Sequence, residues 1–312
     1  MRAAPGAEQQ LNTREHPAHD VAQIRLRAPD GYELSASFYS APAAGEARRA
    51  VVLHCGAGVQ AARYTHFARF LAASGLPVLT YDYRGIGRSR PDRLRGFQGT
   101  LEDWSEYDCA AAIGWMRERF PRAELIGIAH SIGGLLLGGA DNAAEQARLV
   151  LIGGHTGYYG DYQWIYRLPM AVLWHTAMPV LAHALGYFPA RLLKLGDDIP
   201  PQVALAWAAR WSPDLRPKGG GALDQRRRRL LDRCTALQRP ALLVSVSDDA
   251  FSTPAGARRL LTYYPRLSPL HYVEFTPADA GTRRIGHFGF FRRAAGAALW
   301  PRLLAALEAL PR

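Results

Sequence analysis

Three places in this 312-residue chain carry side chains that could act together on a carbonyl group. The first is Ser131, in Ala129-His130-Ser131-Ile132-Gly133, where small residues stand two positions to either side. The second is the carboxylate pair Asp248-Asp249. The third is His287, in Gly286-His287-Phe288-Gly289. A serine hydroxyl is a poor nucleophile until a base removes its proton. A histidine can be that base if an acid holds its ring in one tautomer, and backbone N–H groups must then receive the developing oxyanion. A pentapeptide of common small residues is weak evidence alone. Its weight comes from the elements around it.

Those elements read as strands ending in the three places. Glu124–Ala129 is an apolar strand that breaks at Ser131 into the helical run Leu135–Ala140, a sharp turn that lifts the hydroxyl clear and tolerates only small neighbours. Ala241–Ser247 is a second continuous strand, ending in Asp248-Asp249 just before a helix over Pro254–Tyr264. Leu270–Phe275 is a third, leading to His287 and a terminal helix over Ala294–Leu310. Further apolar strands are expected at Ala50–His54, Pro77–Tyr81 and Ala147–Gly153, with helices between them. The alternation predicts a mostly parallel sheet covered by helices on both faces. Val21–Arg27 and Tyr32–Tyr39 flank Pro29-Asp30-Gly31 and predict an antiparallel hairpin. Thr100-Leu-Glu-Asp103 reads as a capping box that opens a helix.

The alternation stops at Gly154. Residues 155–235 are rich in Trp, Tyr, Pro and Leu and read as an inserted helical cap; residues 21–154 and 236–312 would form the core, and residues 1–20 a loose arm. The stretch Leu168–Phe188 has no charged residue and is nearly long enough to span a bilayer, but its prolines and histidines favour a pair of cap helices lining an apolar pocket. Among the cap aromatics Tyr158, Tyr159, Trp164, Tyr166, Trp174, Tyr187, Trp207 and Trp211, four are taken as substrate-binding: Tyr158, Trp164, Trp174 and Trp207.

Taken together the chain resembles the α/β-hydrolase fold over about residues 21–310. The resemblance is carried by the serine turn, by His54-Cys-Gly56-Ala57-Gly58, and by Asp82-Tyr-Arg84-Gly85-Ile-Gly87-Arg-Ser89, which is similar to the D-x-R-G-x-G-x-S stretch after the family's fourth strand. It is carried also by the acid and histidine loops and by the place of the cap. Asp248-Asp249 with the Gly286-His287-Phe-Gly-Phe-Phe ending resembles uncharacterised bacterial members, and identifies no substrate. The resemblance implies about eight strands, Ser131 as nucleophile, His287 as general base and acid, Asp249 rather than Asp248 as orienting acid, and an oxyanion hole from the N–H groups of Ala57 and Ile132. Asp248 would then cap the following helix. His54 and His130 would pack around the turn, and Asp82 and Arg84 would tie loops together.

A serine hydrolase passing through an acyl-enzyme follows, with a small lipophilic carboxylic ester as substrate. Acyltransferase, thioesterase and peptidase chemistry use the same triad, and a non-catalytic ligand-binding member is a rival of another class. Composition bounds the rest. With 48% hydrophobic residues and 21% charged, the chain can bury a large core. The net charge of +11 is almost all arginine, since Lys194 and Lys218 are the only lysines, and no nucleic-acid motif accompanies it. The run Arg226–Arg229 reads as the solvated face of a helix. Cys55, Cys109 and Cys234 have neither disulfide nor zinc spacing, and ten histidines show no metal-ligand pattern, so no metal and no cofactor are expected. The N-terminal residues show no signal-peptide core, which makes the cytoplasm the expected compartment.

Overall fold

The structure is a computed structural model and describes residues 21–42 and 47–311; the expected arm over residues 1–20 lies outside them. Eight strands form one sheet in the order β1-β2-β4-β3-β5-β6-β7-β8. β1 (Val21–Arg27) and β2 (Glu33–Tyr39) pair antiparallel across the Asp30-Gly31 turn, and β2 pairs antiparallel with β4 (Val78–Tyr81). From β4 onward every pairing is parallel: β3 (Arg49–His54), β5 (Glu124–His130), β6 (Gln146–Ile152), β7 (Ala241–Val246) and β8 (Leu270–Phe275). The apolar strands β3, β4, β5 and β6 are almost entirely buried, as a parallel sheet covered by helices requires.

Register decides what meets at the carboxyl edge. His54 pairs with Ala129 and His130 with Ile152, so the segments following β3 and β6 lie on either side of Ser131. The acid loop follows β7, next in the sheet. This is where an open α/β sheet collects its ligand-binding loops.

Helices pack around the sheet. Thr65–Ala73 meets the terminal helix Arg293–Glu308 through Phe67, Phe70 and Trp300, with ring centroids 5.4–5.5 Å apart. The helix over 101–119 opens with the expected reciprocal cap: Thr100 Oγ1 accepts the Asp103 N–H at 3.1 Å, and Asp103 Oδ2 accepts the Thr100 N–H at 2.8 Å. Arg84 is buried between Asp30 and Asp108, at 2.5 and 2.7 Å, and Asp82 accepts the N–H groups of Ala61 and Arg88, so both residues tie loops as expected.

Residues 155–235 hold the helix Pro201–Ala208 and all but the last residue of Ala222–Ala236, and two expectations for this segment change. Leu168–Phe188 is not a helix pair: Trp164–Leu185 is one 22-residue helix. It contains both prolines, with a π-turn at Leu173–Ala177 that loosens the i→i−4 ladder just ahead of Pro179. This helix is long and apolar enough to cross a membrane by length and composition, yet Trp174, Met178 and Ala182 on it are buried against the rest of the fold. The arginine run is a solvated face only in part, at the exposed Arg229. Arg226 contacts Asp103 and Glu106, each at 2.7 Å, and Arg227 contacts Glu102 at 2.8 Å. The acidic first turns of the 101–119 helix supply its partners, which the spacing within either segment could not show.

Candidate active site

The turn after β5 places Ser131 at φ 58°, one of two non-glycine residues with positive φ among those described. That conformation is strained for a residue with a Cβ and persists only where surrounding structure enforces it. Here the Ser131 N–H is held by the Ile152 carbonyl at 3.0 Å, and its own carbonyl accepts from Gly134 at 3.1 Å. The loop after β3 packs hard against the turn. A Cβ on Gly133 would stand 2.5 Å from the Cys55 carbonyl oxygen and 2.9 Å from that of His54. Ala129 fits where the stricter pattern has glycine, fully buried on β5. Ala57 and Ile132 flank the hydroxyl from the two loops, and among the described residues neither N–H meets a protein acceptor.

Ser131 Oγ lies 3.0 Å from His287 Nε2, and His287 Nδ1 lies 2.7 Å from Asp249 Oδ2. Asp249 is 3% exposed. Burial raises its carboxyl, but the His287 ring and the N–H groups of Ser252 and Phe251 outweigh that and bring it to about 2. Asp248 does not cap the next helix, since Thr253 does, accepting from Gly256. Asp248 instead receives the N–H groups of Ile285 and Gly286, at 3.0 and 2.9 Å, which fixes the short turn Gly286–Gly289 that carries His287.

His130 supports the same ring from beneath. The Gly56 N–H donates to Tyr64 Oη, which contacts His130 Nδ1 at 2.8 Å; His130 Nε2 then reaches the His287 carbonyl at 3.0 Å. Burial, and then the neighbouring His287, hold His130 well below its ordinary pKa. His54 bonds Tyr81 and Gln146, and burial lowers it to about 4. Both are neutral packing groups, as expected. Among the described residues no cluster of metal-ligating side chains occurs.

The site opens into a cavity of about 260 Å³. Its walls are chiefly apolar and come largely from residues 155–235: Met170, Leu173, Trp174, Met178, Phe188 and Trp207. Trp174 and Trp207 therefore line it, but Trp164 and Tyr158 do not. Trp164 is 79% exposed on the outer side of its helix, and Tyr158 packs tilted against Tyr159 beneath the Arg259 guanidinium. Aromatic content alone could not tell inner from outer faces. The segment around Asp197 is tied to the loop after β3: the Asp197 N–H donates to the Gly58 carbonyl at 2.8 Å, and Asp197 Oδ2 accepts from Gln60 and Gly87.

Sequence reasoning missed His155. It follows Gly153-Gly154 at the end of β6 and lies 4% exposed, with Nε2 3.0 Å from Ser131 Oγ. The signal was present, because a histidine next to glycine in a segment that follows a strand is what marked His287 too. Tyr162 and Phe251, also on the wall, carried no comparable mark.

Residues 45–268 match the Hydrolase_4 family, described as serine aminopeptidase, S33. The chain belongs to this family of serine hydrolases. The matched stretch holds the serine turn and the acid loop and ends before His287. A monoacylglycerol lipase of Mycolicibacterium smegmatis is 36% identical over 110 residues, which span 34% of this chain and only 38% of that protein. Among solved structures, an esterase of Pyrococcus furiosus superposes with a TM-score of 0.60 at 15% identity, covering 94% of this chain and 92% of its own. A monoacylglycerol lipase of Paleococcus ferrophilus gives 0.52 at 18% identity, covering 88% and 98%. The fold is thus the α/β-hydrolase fold, with the mixed eight-stranded sheet and N-terminal hairpin expected of it.

Proposed function

We propose that this family member cleaves a lipophilic carboxylic ester through an acyl-enzyme, with Ser131 as nucleophile, His287 as base and then acid, and Asp249 as the group that orients His287. The observation that carries the reading is the chain of contacts Ser131–His287–Asp249, at 3.0 and 2.7 Å, opening onto an apolar cavity. In this reading Ser131 Oγ attacks the ester carbon while His287 takes its proton, and the N–H groups of Ala57 and Ile132 receive the oxyanion. His287 returns the proton to the departing alcohol, then removes one from the water that frees the acid. Residues 155–235 act as the cap that supplies the acyl-binding wall, and no metal or cofactor is invoked.

Ester is favoured over aminopeptidase chemistry by the cavity's charge. A peptide N-terminus would need a free carboxylate for its ammonium group. Asp197 is the lining carboxylate among the described residues, and both its oxygens are taken: Oδ1 by Arg191 and the Asp198 N–H, Oδ2 by Gln60 and the Gly87 N–H. The lipases and esterases among its relatives point the same way.

A fluorophosphonate probe tests the class, with p-nitrophenyl esters of increasing chain length testing the substrate. The wild type is expected to be labelled and to turn over esters, with Ser131→Ala unlabelled and His287→Ala slowed by at least ~10³-fold. Absence of labelling in the wild type would overturn the proposal; labelling without ester turnover would replace it with amidase or acyltransferase chemistry.

A further inference from the structure

Two imidazoles, not one, contact Ser131 Oγ: His155 Nε2 and His287 Nε2 each lie 3.0 Å away. A hydroxyl has one hydrogen and two lone pairs, so it can donate to one ring and must accept from the other. The neighbours decide which, by the tautomers they impose. His287 Nδ1 faces Asp249, keeps its hydrogen there and leaves Nε2 as acceptor for the serine proton. His155 Nδ1 accepts the Gly157 N–H at 2.9 Å, which puts the His155 hydrogen on Nε2, pointing at Ser131 Oγ. Arg210 holds this turn by donating to the Thr156 carbonyl. Burial, and then the nearby His287, lower His155 to about 3, so it remains a neutral donor that exchanges no proton.

We propose that His155 is a catalytic residue whose Nε2–H receives the oxygen that leaves on acylation and the oxygen that enters on deacylation, and that it thereby selects esters over amides. This rests on the ester-hydrolase reading above. When Ser131 Oγ bonds to the carbonyl carbon and its proton passes to His287 Nε2, Oγ becomes a poor acceptor and His155 must find another. The leaving oxygen is bonded to that same carbon and has to come within reach of His287 to be protonated. The two rings stand with centroids 5.5 Å apart and aim at one oxygen, so an atom placed there meets both.

An ester oxygen has two lone pairs. One takes the proton from His287 and the other accepts from His155, the C–O bond breaks, and the alcohol departs. In deacylation water attacks with one lone pair, accepts from His155 with the other, and gives a proton to His287. An amide nitrogen at the tetrahedral stage has a single lone pair, which His287 must protonate. The His155 N–H would then face a group that cannot accept it, and a buried donor left unpaired discriminates substrates by roughly 10–100-fold.

The test presents one acyl group as an alkyl ester, a p-nitrophenyl ester and an alkyl amide, to the wild type, His155→Phe and His155→Gln. In His155→Phe the alkyl-ester kcat/KM is expected to fall ~10²-fold, while the p-nitrophenyl ester, whose stable phenoxide leaves fast enough that its departure does not limit acylation, and the amide each change less than ~5-fold. Fluorophosphonate labelling, limited by attack on phosphorus and not by departure of fluoride, should also stay within ~5-fold, and His155→Gln, which keeps an N–H donor, should recover part of the alkyl-ester rate. Where amide turnover is too slow to measure, the contrast between the two esters decides. An equal loss on both esters and in labelling means a structural role and overturns the proposal, as does an unchanged alkyl-ester rate. A wild type that is not labelled at all strikes the hydrolase reading instead.

Discussion

Asp248 and Asp249, adjacent on the loop after β7, grip two different parts of one histidine loop. Asp249 Oδ2 meets the His287 ring at 2.7 Å, while Asp248 takes the N–H groups of Ile285 and Gly286 at 3.0 and 2.9 Å. One carboxylate sets the orientation of the imidazole and the other sets where its backbone lies.

These two roles separate by kinetics. Asp249→Asn should lower kcat by ~10³–10⁴-fold, because the ring loses the acceptor that fixes its tautomer. Asp248→Asn keeps one acceptor and displaces the loop only slightly, so a loss of ~10-fold is expected. Steady-state kinetics on a p-nitrophenyl ester distinguish them; equal losses would contradict the division of roles.

Buried histidines should make the protein acid-labile. Burial lowers His54 to about 4 and His155 to about 3, and it holds His130 well below its ordinary value. Below pH ~6.5 the unfolded chain takes up protons that these rings refuse, so stability rises with pH there and falls as pH drops. Each histidine costs ~1.4 kcal/mol per pH unit, ~4 kcal/mol per unit for the three, against a total stability of ~5–15 kcal/mol. Asp249 works in a lower window: its stabilisation is complete above pH ~3.9 and is lost as pH falls towards about 2. Circular dichroism against pH should show cooperative unfolding centred between pH ~6 and ~4. An unchanged melting temperature at pH ~4 would contradict this.

The serine turn is expected to respond asymmetrically to its two flanking positions. Gly133→Ala drives a Cβ to 2.5 Å from the Cys55 carbonyl oxygen, a backbone contact that cannot move aside cheaply. It should destabilise the protein by ~2–3 kcal/mol or more and suppress fluorophosphonate labelling. Ala129→Gly, which restores the stricter pattern, should cost only ~1 kcal/mol of strand stability and leave activity within ~3-fold. Thermal melts and labelling rates check both.

Acyl-chain preference should depend on Trp174 and not on Trp164. Trp174→Ala enlarges the cavity and should shift the optimum of kcat/KM towards longer or bulkier acyl groups, by ~1–3 kcal/mol of relative transition-state binding. Trp164→Ala, on the exposed side of the same helix, should leave the ester profile unchanged. A profile moved equally by both variants would argue against the cavity as the acyl site.

Much of this was legible because it is written locally. Apolar runs leading into Ser131, Asp249 and the His287 loop predict strands that deliver side chains to one edge, and parallel pairing brings those ends together. The capping box at Thr100 depends on residues three apart and was equally visible. Residues 155–235 resisted reading because their helices have no repeating partner. Whether Trp164 or Trp174 faces inward depends on the rotation of one helix against loops far away in the chain, and Arg226 finds Glu106 only once two helices are packed.

By itself the sequence determined the sheet, the sharp turn at Ser131 and the kinds of side chain at its strand ends, since periodicity and short-range sterics act over a few residues. Only the tertiary structure decided that Asp249 meets the His287 ring while Asp248 holds its backbone, that Asp197 is spent on internal partners, and that His155 joins His287 at one oxygen. Hydrogen-bond partners fall within about 3 Å only after the chain has closed on itself. A residue's proton inventory therefore becomes chemistry only when its neighbours, tens or hundreds of positions away, are in place.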